Sequence, residues 1–384
     1  MIPCQRHLFD IPRDIAYFNT AYVAPSPKSV REAGERGVAR KSSPWTIGTP
    51  DFYGPSESIR GLFARIIGAT ANDIALVPAT SYGLAVAARN LTLRVKQRIV
   101  LLENQYPNNV LPWLALADAT GAEIATVRCP QDEDWTRAVL DEIDERAGLV
   151  TLPQCHWMDG RLIDLVRIGE RCRDVGVPLI VDITQSAGAY PFDVKAVKPD
   201  FLVAAGYKWL LCPYSFAFLY AAPHRQDGTP IEIHSNNRRD SDKGHVWKDG
   251  VLQYREGWLP GARRFDVGER ANFALSPMAE AALRQILEWG PDRINRSIRQ
   301  ITERIIAAAE PLGYSAPRAD VRSGHFTGLK PPRPLPRDAQ DRLARLGVYL
   351  TVRGDFLRIS PHIWVDDYDL DRLTAGLDNL AKHA

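Results

Sequence analysis

The chain has 384 residues, 45% of them apolar and 24% charged, with a formal net charge of +2. That length suffices for two sizeable cores or one large one, and the balanced charge gives no electrostatic case for nucleic acid or a membrane surface. The five cysteines (Cys4, Cys129, Cys155, Cys172, Cys212) lack metal-ligand spacing and read as free thiols of a reducing compartment. The N-terminus, MIPCQRHLFDIPRD, has no apolar signal core, so the expected setting is cytoplasmic.

Taken in order, Tyr17–Tyr22 reads as a short strand-like start before the turn-rich Ala24-Pro25-Ser26-Pro27. Helices are expected over 27–39 and 56–67, the second with Ile59, Leu62, Phe63, Ile66 and Ile67 on one face. Ile74–Val77 is a short apolar strand, after which Pro78-Ala79-Thr80-Ser81-Tyr82-Gly83 opens a helical run over 84–89. Free N–H groups at such a helix start seat a phosphate, and Thr80 or Ser81 can equally cap the helix in the ordinary way. Further strands fall at Arg98–Leu102, Glu123–Val127 and Leu149–Leu152, with helices over 136–146 and 162–175. Tyr106-Pro107 follows the first of these strands, and Cys155-His156-Trp157 follows the last. A single histidine such as His156 is more often a structural hydrogen-bonding group than a catalyst.

Two apolar runs, Leu179–Ile183 and Phe201–Ala205, read as buried strands. Asp182 and Gln185 stand at the end of the first, and Gly206-Tyr207-Lys208-Trp209 follows the second. An acid and a lysine at neighbouring strand ends meet at the edge where α/β sheets bind ligands. Pyridoxal 5′-phosphate (PLP) needs that pair: a lysine for its Schiff base and a carboxylate against its pyridinium nitrogen. Alternation of strand and helix from Ile74 to Leu219 gives an α/β fold with a mainly parallel sheet covered on both faces.

Beyond Tyr220, residues 223–264 form a long charged stretch with too many aromatic residues for simple disorder, expected to lie over an active-site mouth. A helix is expected from Ser276-Pro277 to Trp289, resuming after Gly290-Pro291 to Leu312. The remainder reads as a strand (His325–Leu329), a helix over 338–346, a strand pair (Val348–Val352 and Phe356–Ile359) and a last helix over 369–382. No GxGxxG or GxxxxGK[ST] motif is present, which leaves a nucleotide-binding protein unsupported.

Val181-Asp182-x-x-Gln185-Ser186-Ala187-Gly188 with Gly206-Tyr207-Lys208 resembles the class V aminotransferase family, which includes cysteine desulfurases, kynureninases and isopenicillin N epimerase-like proteins. The resemblance runs from about Ala16 to the C-terminus. It implies a seven-stranded-type sheet of the PLP fold type I, divided as an N-terminal segment (1–25) at the active-site mouth, a large PLP-binding domain (26–275) and a small α+β domain with its connecting helix (276–384). It implies a homodimer with active sites near the interface. Lys208 takes the Schiff-base position, Asp182 the ring nitrogen, Gln185 the ring 3′ oxygen, and Thr80, Ser81 and Tyr207 the phosphate.

The resemblance further implies that Tyr106 stacks on the ring, with His156 or Trp157 beside it. Asn19 and Ala21 are placed at the substrate pocket, though residue type alone makes them only part of an ordered strand. Many members have Gly-Thr where this chain has Gly268-Glu269, and Asn272 is the substitute for that cross-subunit phosphate contact. Arg358 resembles the arginine that grips the substrate carboxylate, with Arg353 its competitor. No cysteine follows Cys212, which argues against a persulfide-forming desulfurase. Amino-group transfer is the expected reaction, with bond-cleaving lyase or hydrolase chemistry, or epimerisation, behind it.

Overall fold

The computed structural model describes residues 1–383. In chain order the strands are β1 (Ala16–Tyr17), β2 (Ile74–Val77), β3 (Arg98–Leu102), β4 (Glu123–Val127), β5 (Ala147–Pro153), β6 (Leu179–Asp182), β7 (Phe201–Ala205), β8 (Ala217–Ala221), β9 (Val246–Lys248), β10 (Val251–Gln253), β11 (Thr327–Leu329), β12 (Val348–Tyr349), β13 (Thr351–Arg353) and β14 (Phe356–Ile359). Seven make the central sheet, in the order β2-β8-β7-β6-β5-β3-β4. Neighbours from β7 across to β4 run parallel, while β8 is antiparallel to both β2 and β7. The mainly parallel α/β sheet is therefore present. β8 carries no directional signal in the sequence, because a short run that is apolar throughout does not declare which way it pairs.

Side-chain alternation explains those runs. β6 puts Leu179 and Val181 into one core and Ile180 into the other, and β7 divides Leu202 and Ala204 from Phe201 and Val203 in the same way. Strands buried on both faces have no polar side to show. The helix expected over 136–146 is shorter, Trp135–Leu140. Its missing second half is a turn in which Asp144 accepts from Arg146 N at 2.9 Å and from Arg98 Nη2 at 2.8 Å.

Residues 223–264 are not structureless. They hold short 3₁₀ turns and the antiparallel β9–β10 hairpin. Trp258 is covered by Arg238 at 3.9 Å, whereas Trp247 and Tyr254 stay exposed. The helix expected from Ser276 begins at Leu275, and Asn272 Oδ1 accepts from Ala274 N (3.0 Å) and Leu275 N (2.9 Å) at its start. In the C-terminal part, β14 lies between β11 and β13, both antiparallel to it. The strand expected over 348–352 is split: β12 pairs in parallel with β1, and β13 joins β14. No helix among the described residues is long and apolar enough to cross a membrane.

Candidate active site

The parallel strands end along one sheet edge, and residues at and just past their ends line a single cavity. Past β3 comes Tyr106, past β5 Cys155 and Trp157, at the end of β6 Asp182 with Thr184 and Gln185 beyond it, and past β7 Tyr207 and Lys208. Thr80, in the first turn of the helix Thr80–Arg89, and Tyr214 to Ala217, leading into β8, complete the wall.

Lys208 is held by the turn that follows β7. A Cβ at Gly206 would meet Phe216 O at 2.7 Å and the Cys212 Cβ at 2.8 Å, so only glycine lets the turn close. Gly206 N donates to Phe216 O, and Cys212 N to Gly206 O. The lysine is 5% exposed, with its ammonium 5.3 Å from the Tyr106 ring centre and 5.6 Å from that of Tyr207. Burial, then repulsion from Arg358 and Arg353, draws its pKa down to about 7 against the pull of Asp182. Near neutrality such a lysine divides between amine and ammonium, which suits a base.

Asp182 is buried too, and Thr184 N donates to its Oδ1 at 2.8 Å. Burial raises its pKa, opposed by the Thr184 hydrogen bonds and by Lys208. Acid and amine thus share one cavity and act on each other only as distant charges. A group with a cationic ring nitrogen and an aldehyde answers both, and PLP fits. Its phosphate also finds a seat. The helix Thr80–Arg89 starts from Ala79 with no side-chain cap, so its first N–H groups are left for an anion. Capping by Thr80 or Ser81 is not what the structure uses. Thr80 lines the cavity; Ser81 is exposed and does not.

Gln185 lines the cavity, but its amide is largely spoken for. Nε2 donates to Ala21 O (3.0 Å), and Oε1 accepts from Trp209 Nε1 (3.1 Å). His156 faces the other way, with its ring stacked 5.6 Å from Trp135 and Nε2 3.3 Å from Glu103 O. Its neighbours Cys155 and Trp157 line the cavity, with Trp157 at the start of the turn that Gly160 N closes on His156 O. Trp157 donates Nε1 to Asn104 O (2.7 Å) and meets Tyr106 edge-on at 5.3 Å.

Arg358 is 1% exposed; Nη1 donates to Trp157 O (3.0 Å), while Nε and Nη2 have no partner. Burial, then Arg353, takes its pKa down to about 9. Arg353 is half-buried with Nε unpartnered. The two guanidinium carbons lie 5.8 and 5.3 Å from the Trp157 ring centre, so both adjoin the cavity through that indole without lining it.

Three expected contacts are not in the cavity wall. Asn19 accepts from Thr351 Oγ1, Ala21 N donates to Ser360 Oγ (3.0 Å), and Asn272 caps its helix while lining a separate recess with Asn236 and Arg270. Conversely, Cys155, Thr184 and Tyr214 line the cavity without having been singled out. For Tyr214 a signal existed, since Pro213-Tyr214-Ser215 is a turn at the mouth of an apolar run.

A model of the aminotransferase class-V family matches residues 50–305. An uncharacterized aminotransferase of Bacillus subtilis (strain 168) is 27% identical over 316 residues, 80% of this chain and 79% of that one. Kynureninase of Deinococcus radiodurans is 26% identical over an alignment of 400 residues, 97% of this chain and 92% of that one. Among solved structures, a C-DES mutant with glycine covalently linked to its PLP cofactor superposes with a TM-score of 0.88 at 20% identity, covering 98% of this chain and 99% of that one. At that identity the likeness speaks to the fold.

Proposed function

Because the chain belongs to the aminotransferase class-V family, whose cofactor is pyridoxal 5′-phosphate, we propose that it is an enzyme transferring the amino group of an amino acid. Lys208 carries this reading: a buried lysine of pKa about 7, across a cavity from a buried acid. Bound there, PLP supplies an electron sink beside the substrate α-carbon. Lys208 anchors the cofactor and takes the proton from that α-carbon. Asp182 keeps a proton on the ring nitrogen. The free N–H groups at Thr80 and Ser81, with the Tyr207 hydroxyl, bind phosphate. Tyr106 and Trp157 cover the ring, and the remaining amide hydrogen of Gln185 serves its 3′ oxygen.

Arg358 grips the substrate carboxylate, and a rigid fork fixes which bond at the α-carbon is broken. Asn19 and Ala21 act through their neighbours, Ala21 by bracing Gln185. Asn272 is assigned to the partner subunit's phosphate in a homodimer. Exposed aromatics (Trp45, Trp247, Tyr254) support that dimer. The working division is 1–25, 26–275 and 276–384, in a cytoplasmic protein.

Bond cleavage of the hydrolase or lyase kind is the second reading, favoured by the kynureninase match across nearly all of both chains. Persulfide formation is disfavoured, because burial pushes the thiol of Cys155, a wall residue of the cavity, upward. Borohydride reduction of the yellow holoprotein followed by peptide mapping should label Lys208, and Lys208→Ala should lose both the lysine-linked absorption and turnover. A label on another lysine ends the assignment. With a panel of amino acids, a bleached chromophore and a keto acid support transfer; a side-chain fragment released with the chromophore restored at every turnover supports cleavage, accompanied by alanine if it is hydrolytic and by ammonia if it is eliminative.

A further inference from the structure

Arg353 and Arg358 occupy the two arms of one β-hairpin. Arg358 is paired with Thr351, and Arg353 lies two residues on from Thr351, so the register puts both on one face as diagonal neighbours. The turn between them has Gly354 at φ 56° in its first central position, which sets the arms in this register. Other largely buried arginines of this protein meet a carboxylate, as Arg60 meets Asp266 and Arg322 meets Glu303. On this face none does. Phenols of Tyr106, Tyr17 and Tyr207 surround Arg358, and those of Tyr106 and Tyr22 surround Arg353; burial keeps Tyr17 and Tyr207 protonated, so neither supplies an anion. Both guanidinium charges are felt at Lys208, whose pKa they help to lower.

A single α-carboxylate satisfies one guanidinium fork and leaves the other without an anion. We propose that this face binds a dicarboxylic amino acid, with its α-carboxylate on Arg358 and its side-chain carboxylate on Arg353. Arg358, wholly buried and nearer the fixed chemistry, suits the group common to all amino acids. Arg353, half-buried beside the hairpin turn, suits the group that varies. The proposal rests on the amino-acid-site reading above and adds the acidity of the side chain to it.

The test uses carboxylates without an amine, so that turnover is not the readout. Succinate and glutarate are compared with butyrate and valerate by calorimetric titration of the holoenzyme. At least one diacid should bind tighter than its monoacid by about tenfold or more, as a second charge-assisted fork implies. Arg353→Gln should bring the diacid down to the monoacid and leave the monoacid unchanged, and Arg358→Gln should weaken both. Arg353→Lys, which keeps the charge without the fork, should keep a smaller preference and decides the matter if the glutamine variant does not fold. Equal binding of diacid and monoacid by the wild type, or a preference that survives Arg353→Gln, overturns the proposal. Loss of the cofactor assignment would show separately, as a borohydride label away from Lys208.

Discussion

Arg60 and Arg358 are both cut off from water, and they differ in what completes them. Asp266 accepts from Nη1 of Arg60 at 2.8 Å and from Nη2; Ile74 O and Glu57 take further bonds. Asp266 also accepts from Leu76 N and lies 3.1 Å from Arg270 Nε. Burial pulls the Arg60 pKa down, yet Asp266 and Glu57 outweigh it and leave it above the ordinary arginine value. Arg358 has one carbonyl partner and ends at about 9. The chain itself closes the first charge, whereas it gives the second a single backbone carbonyl. Leaving a buried charge unpaired costs stability, so where a fold tolerates one the reason is sought in function.

Three experiments press on this contrast. The largest effect belongs to Asp266→Asn, which strands Arg60 and should lower the unfolding free energy in urea by about 3–5 kcal/mol. A loss under about 1 kcal/mol would mean that the Arg60 network is not held by its charge.

An intermediate effect comes from a third kind of buried group, one that avoids charge by staying neutral. His362 has neither ring nitrogen bonded and stacks on Trp364 at 4.7 Å; burial, with repulsion from His325, takes its pKa to about 3. His325 donates Nε2–H to Gln185 O at 2.6 Å, and burial takes it to about 4. In the unfolded chain a histidine titrates near about 6.5, so between that pH and about 4 the unfolded state binds more protons. Stability should therefore be fully present above about pH 6.5 and fall below it, by up to about 1.4 kcal/mol per pH unit for each histidine. Thermal midpoints followed down from neutral pH should slope accordingly, and His362→Leu should remove part of the slope. An unaltered slope in that variant assigns the acid sensitivity elsewhere.

The smallest effect is expected at Arg358→Met. Its stability should be unchanged or raised by about 1 kcal/mol, while carboxylate binding disappears. A destabilisation as large as that of Asp266→Asn would make Arg358 a structural charge and erase the distinction.

How much of this is legible in the sequence varies with the range of the interaction. Asp182 and Lys208 are legible because one ends and the other closely follows a strand of unambiguous residue types, and parallel strands deliver such positions to one edge. His156 misleads because residue type suggests chemistry, while its ring stacks on Trp135 and bonds Glu103 O away from the cavity wall. Alternation along β13 puts Arg353 on the same side as Thr351, and so on one face with Arg358. Arg60 and Asp266 stand 206 residues apart, and no local pattern announces that they meet. β8 and the β9–β10 hairpin were obscure for a related reason: antiparallel pairing is settled by the partner and not by the run itself.

The pairing of β1 with β12 has a consequence in time. Thr351 donates to Asn19 across 332 residues. At a synthesis rate of roughly 5–20 residues per second, the N-terminal segment waits roughly fifteen seconds to a minute for the strand it docks against. Until then Ala21 has no Ser360 to hold it, and the brace that Ala21 O gives to Gln185 is unsupported. That side of the site is finished only after nearly all of the chain has emerged, so a chain cut before Ser360 lacks the brace on Gln185.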